Sequence, residues 1–171
     1  MTTPAPQSDP FKPLYAPLGR LVVRWAYLER VLDYFVAAVY HRCGGNTLVR
    51  ELPHTLDRKI RFLRDSLNQL PSLAESKDKG TDFLNRLAAL KQTRHDLVHG
   101  IVNTANPPGG IPWDAFEVVR LNTTKQLHEH VSSTLSLAAV RENADNALGL
   151  ANELAAFLIV LVNSLVQKPP I

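Results

Sequence analysis

The sequence predicts an all-α fold, an antiparallel four-helix bundle with a small β-hairpin inserted between the third and fourth helices. Three observations predict it. Apolar residues recur three and four apart over four long stretches. Gly-Gly, proline and polar connections separate the first three stretches, as short loops between antiparallel neighbours do. A single segment, between NPPGGIPW and the last helix, changes to β-prone alternation.

The elements follow in order. Prolines at positions 4, 6, 10, 13 and 17 make residues 1–17 an extended arm, leaving 18–171 as one helical domain. A first helix runs from about Leu18 to Tyr40, with Leu18, Val22, Trp25, Leu32, Val36 and Val39 on its seam, and stops at Gly44-Gly45. A second begins near Pro53 with Leu56, Ile60, Leu63, Leu67 and Leu70 aligned, and ends at Pro71. SLAESKDKG reads as a polar loop. A third helix runs from about Thr81, with Thr81 or Asp82 as its cap, to near Ile101. FEVVRLN and QLHEHVSS, around a Thr-Thr-Lys turn, form the expected hairpin at about 115–133. The last helix keeps an unbroken apolar seam from Leu137 to Leu165, and its C-terminal half is apolar all round, which predicts burial on more than one side.

A chain of 171 residues with 45% hydrophobic content has enough material for one real core. Cys43 is the single cysteine, so the fold does not depend on an internal disulfide. The opening MTTPAPQSDPFKP lacks a secretory pattern, and the apolar run at 154–162 is about half the ~20 residues needed to span a bilayer. These features predict a cytoplasmic protein without a membrane partner. A net charge of +3 and a pI near 9.2 permit a polyanionic partner without requiring one.

The chemistry concentrates in KQTRHDLVHG, residues 91–100. Arg94 falls on the third-helix seam of Leu87, Leu90, Leu97 and Ile101, where an aliphatic side chain is expected; Glu29 does the same on the first helix. A charge in such a seam costs several kcal/mol, roughly, unless it is paired or stays wet. One solution has Glu29 fixing the guanidinium of Arg94 in a fork; the plain alternative has each side chain reaching water at a bundle end. His95, Asp96 and His99 lie within two turns of Arg94. A histidine near a helix C-terminus gains from the dipole in its protonated form, which suits a general acid. Arg94 and His99 are about 140° apart around an ideal helix, so they meet on one phosphate only through the reach of the arginine, a frayed last turn or a second subunit.

Arg94, a polar residue at position 95, three more and then His99 resemble the R-x4-H motif of the HEPN superfamily (higher eukaryotes and prokaryotes nucleotide-binding). Gly100 after the histidine is commonly seen there too. WAYLERVLDYF, a first helix with a glutamate, and LDRKIRFL, a lysine-bearing second helix, resemble the family's layout over about 18–167. The resemblance implies a metal-independent, cofactor-free ribonuclease acting as a homodimer, with both subunits' Arg and His lining a shared cleft. It further implies toxin–antitoxin or anti-phage settings, with an antitoxin or nucleotidyltransferase as partner. His99 is then general base or acid, Arg94 the phosphate clamp and His95 an orienting group, with Asp96 and Glu29 supporting. Cleavage through the 2′-hydroxyl needs a base, an acid and positive charge at the phosphorane, and a two-fold axis supplies a second copy of each. Lys59, singled out by the resemblance, joins Arg58, Arg61 and Arg64 as a basic run for an RNA backbone, or else a solvated face laced with Asp57 and Asp65.

Two other readings stand beside this one. A non-catalytic helical binding or assembly module would use Arg94 and His99 only to bridge helices. A metal-dependent hydrolase would use His95 and His99 at i and i+4, with His128 or His130 as a third ligand; it lacks the usual glutamate base, and Arg94 repels a dication. Trp113 and Tyr15 read as packing residues beside prolines rather than base-stacking platforms, and nothing near Cys43 would activate a nucleophile.

Overall fold

The computed structural model describes residues 12–99, 101–103, 115–124 and 127–167, with side chains described for 12–97 and 134–165. The chain is predominantly helical. Its elements are α1 (Lys12–Arg42), α2 (Leu56–Gln69), α3 (Lys77–His99), three strands and α4 (Leu137–Gln167). Strands β1 (Ile101–Asn103), β2 (Ala115–Thr124) and β3 (Leu127–Ser136) pair antiparallel in the order β1-β2-β3, with Ile101 opposite Val119 and Val119 opposite Ser132. α3 thus ends on His99, and Ile101, expected at the end of the third helix, begins a strand that helical periodicity did not separate from it.

The chain divides into two compact units. Residues 23–91 and 145–171 form one, here called the core unit; residues 1–22 and 92–144 form the other, the motif unit. In the core unit, Trp25, Leu28, Leu32, Phe35 and Val39 of α1 pack with Ile60, Leu63 and Leu67 of α2, Phe83 and Leu87 of α3, and Leu150, Leu154 and Phe157 of α4. Phe157 meets Phe35 edge-on at 5.6 Å and Phe83 at 5.4 Å. In the motif unit, Leu21, Leu97, Val140 and Ala144 form a smaller apolar cluster, and Leu14 packs with Leu137.

The structure corrects four expectations. Residues 12–17 are helical, not part of an extended arm, while 1–11 lie outside the described residues. Pro13 sits in the first turn, where no N–H is needed, and Pro17 costs one helical hydrogen bond while it and Leu14 are buried. The polar loop after Pro71 is a 3-10 turn over Pro71–Ser76 that leads directly into α3. Leu73 anchors it in the core, and bare Gly80 lets Leu67 lie where a Cβ would stand, 2.8 Å away, so the glycine is a packing site within α3. The α1 stripe is Leu21, Trp25, Leu28, Leu32 and Phe35, leaving Val22 exposed and Glu29 beside the stripe. Leu21 and Leu28 bury more apolar area than Val22 and Glu29 would in their places. On α4 the expected seam from Leu137 to Leu161 is buried, but Ile159 and Val160 face outward instead of being covered all round.

Local signals account for the helix ends. Gly44, at φ 90, takes the left-handed backbone that follows α1, and Gly45 packs so tightly that a Cβ would stand 2.7 Å from Phe62 Cζ and 2.9 Å from the Val39 carbonyl oxygen. The Thr55 hydroxyl accepts a hydrogen bond from the Arg58 N–H at 3.4 Å and caps α2. Thr55→Ala is expected to lower stability by about 1 kcal/mol in urea titration, with the m-value unchanged.

By length and composition α4 is long and apolar enough to cross a membrane, with a mean hydropathy of 1.8 within Leu137–Leu165. The run at 154–162 is short by itself. Within Leu137–Leu165 the charged residues are Arg141, Glu142, Asp145 and Glu153, and 154–165 carries none. Along the same helix Ala147, Leu150, Ala151 and Leu154 are core residues.

Candidate functional site

The residues singled out by their chemistry divide between the two units. Arg94, His95 and Asp96 belong to the motif unit, on the last turns of α3. Arg94 is half-buried, three residues before buried Leu97 on the same helical stripe. His95 is exposed. Asp96 is buried, and its Oδ1 accepts a hydrogen bond from Gln92 Nε2 at 2.7 Å, one turn earlier on the helix. α3 ends on His99, at the negative end of the helix dipole; the His99 side chain and Gly100 lie outside the described residues.

The basic run on α2 belongs to the core unit. Arg58 and Arg61 are exposed. Lys59 is mostly buried and paired with Asp33 of α1, so its charge is already met within the fold. Arg64 donates to Asn85 Oδ1 at 3.0 Å. Glu29 is half-buried in the core unit.

One forked ion pair was not anticipated. Arg86 donates to both carboxylate oxygens of Glu153, at 2.7 and 2.9 Å, and also reaches Asp82. This fork raises the Arg86 pKa and, through the same hydrogen bonds, lowers that of Glu153. It is a surface pair beside a cleft of about 390 Å³ that Asp145 and Gly149 also line, so its charges are occupied with each other. Helical spacing cannot find it, because its partners are on different helices.

Asn143, another residue missed in the sequence, is buried in the motif unit, and its side-chain oxygen accepts no hydrogen bond from the described residues. The available signal was an amide on the otherwise apolar stripe of Val140, Ala144 and Ala147.

Cys43 is buried, and desolvation pushes its thiol up to about 11 from 9.0, which is the opposite of nucleophile activation. Two consequences are measurable. Alkylation by iodoacetamide should stay slow at neutral pH in the folded protein and become fast in urea. Because the folded-state pKa is raised, stability from the protonated thiol is complete below about pH 9 and is lost as pH rises towards 11. A Cys43→Ala variant should lack that component of the alkaline decline.

Among the described residues no group of three or more His, Cys, Asp or Glu is placed to hold a metal ion. The side chains of His99, His128 and His130, on which the metal reading depends, lie outside those residues.

No family model matches the chain, and no solved structure matches it. Extracellular matrix-binding protein EbhA of Staphylococcus aureus strain Newman is 27% identical over 142 residues, covering 74% of this chain and 4% of that protein. Extracellular matrix-binding protein ebh of Staphylococcus aureus strain MW2 shows the same 27% over 142 residues, again 74% of this chain but 1% of its own length. The chain thus spans about 1–4% of the length of these curated relatives.

Proposed function

We propose that this chain is a HEPN-like, metal-independent endoribonuclease that acts as a homodimer. In this reading the four helices form an antiparallel bundle with the β2–β3 hairpin inserted before α4. The motifs of two subunits line one cleft. The observation that carries the proposal is the end of α3, where half-buried Arg94 lies in the last turns of a helix that finishes on His99.

The chemistry follows from that arrangement. A base removes the proton of a ribose 2′-hydroxyl, and the oxygen attacks the adjacent phosphorus. The bond from phosphorus to the 5′-oxygen breaks, an acid protonates that oxygen, and a 2′,3′-cyclic phosphate remains. His99 of each subunit supplies one of the two proton-transfer groups. Its position at a helix C-terminus favours the imidazolium form, as an acid requires. Arg94 compensates charge on the phosphorane oxygens. His95 and Asp96 orient the pair. Arg58 and Arg61 track the RNA backbone; Lys59 contributes once it leaves Asp33. The setting is cytoplasmic, in a toxin–antitoxin or anti-phage system with an antitoxin or nucleotidyltransferase partner.

A second reading is a non-catalytic helical binding or assembly module. The likeness to EbhA and ebh, whose names describe matrix binding, favours it, as does the engagement of Lys59 with Asp33. Incubation of labelled RNA with the protein in EDTA separates the two. Cleavage that depends on Arg94 and His99 supports the nuclease. Equal inertness of the wild type, Arg94→Ala and His99→Ala, with loss of stability or dimerisation in the two variants, supports the module.

A further inference from the structure

We propose that Asn143 is a positioning residue for the proposed cleavage, its buried side-chain oxygen holding the Arg94 guanidinium while that group grips a phosphate. The inference rests on the proposed function for the reaction; its own content is the contact between the two side chains. Asn143 is 7% exposed on α4, and its oxygen meets no donor among the described residues. Water bonds well to an amide oxygen, so an acceptor buried without a donor is worse off than an apolar side chain of the same shape. Val140, Ala144 and Ala147 on the same stripe are apolar. An apolar residue at 143 would serve folding better, so the amide is explained by work other than folding.

Helical geometry selects Arg94 as the donor. Val140 and Ala144, three residues before Asn143 and one after it, pack with Leu97 of α3 in the apolar cluster of the motif unit. This stretch of α4 therefore faces the side of α3 that carries Leu97. Arg94 is about 60° from Leu97 around an ideal helix, whereas His95 is about 160° away and exposed. Gln92 gives its amide to Asp96. Arg94 is half-buried and combines a long arm with five N–H donors.

The kind of acceptor points the same way. In the core unit Arg86 and Lys59 are met by the carboxylates of Glu153 and Asp33, which cancel their charge. A carboxamide oxygen orients a guanidinium and leaves its charge whole for a phosphate. A fork on phosphate uses two of the five N–H groups, so one of the others can point to Asn143 at the same time.

Asn143→Leu removes the oxygen and keeps most of the volume. RNA cleavage in EDTA should fall by roughly 10–100-fold in kcat with KM little changed, as for the loss of one hydrogen bond to a charged group. In an Arg94→Ala background the same substitution should change cleavage no further, because the oxygen then has nothing to hold. The second readout is binding to a short fluorescent DNA strand, which lacks the attacking 2′-hydroxyl. There too the losses from Arg94→Ala and Asn143→Leu should not add. Circular dichroism and urea titration follow the fold on the same samples; where leucine does not fit, Asn143→Ala removes the oxygen without needing room. Wild-type cleavage by the folded Asn143 variant overturns the proposal, as does the same fold-loss with and without Arg94. A wild type that cuts no RNA, yet binds the DNA strand through coupled Arg94 and Asn143, leaves the contact standing and removes the nuclease. Cleavage that needs Arg94 but not Asn143 does the reverse, and a wild type that neither cuts nor binds overturns both.

Discussion

Arg94→Ala and His99→Ala should each reduce RNA cleavage in EDTA by about 10²–10⁴-fold while leaving the fold intact. The range is that of losing a positioned proton-transfer group or one electrostatic contact to a developing oxyanion. Arg94 is half-buried beside Leu97, so its truncation also removes stem packing, and thermal unfolding must be followed in parallel. Arg94→Lys distinguishes the roles. It keeps the charge and much of the stem but loses the fork, so stability should largely return while activity stays low. His99→Gln should flatten one limb of the pH–rate profile, which a purely structural histidine would not do. If all these proteins cleave at the rate of the wild type, the chemistry is elsewhere or absent.

Phe35→Ala is the substitution expected to be most harmful to stability, by about 3–5 kcal/mol. Phe35 is fully buried and touches Phe157 edge-on, and Phe157 in turn meets Phe83. Removing the ring opens a cavity where α1, α3 and α4 converge and loses an aromatic pair worth about 0.5–1.5 kcal/mol beyond its area. For a chain of this size the melting temperature should fall by roughly 10 °C. Phe35→Leu should recover more than half of that loss, because it refills most of the volume. Calorimetry on both variants is the check; a drop of only a degree or two for alanine would mean that the three helices do not share this core.

The helices were legible in the sequence wherever one stripe decided burial. On α2, Leu56 through Leu70 suffice, because one face meets the core and nothing competes. On α1 the pattern offered two overlapping stripes, and volume chose between them: Leu28 went in and Glu29 stayed at the edge. Gly80 and Pro17 read as breakers because propensity is local, while the packing that overrides it comes from Leu67 and from the Leu14–Leu137 contact. The motif on α3 was legible as a run of polar residues in a helical frame. The pairing of Lys59 with Asp33, the Arg86–Glu153 fork and the orphaned oxygen of Asn143 were not, since each depends on which helix lies opposite.

Phe157 and its neighbours on α4 close a core begun by residues more than a hundred positions earlier. During synthesis, at about 5–20 residues per second, the apolar faces of the first three helices must wait several seconds for their lid. A nascent chain halted near residue 144 would hold Trp25, Phe35 and Phe83 half-clothed, an invitation to chaperones and proteases. Supplying residues 145–171 as a separate peptide should rescue such a fragment.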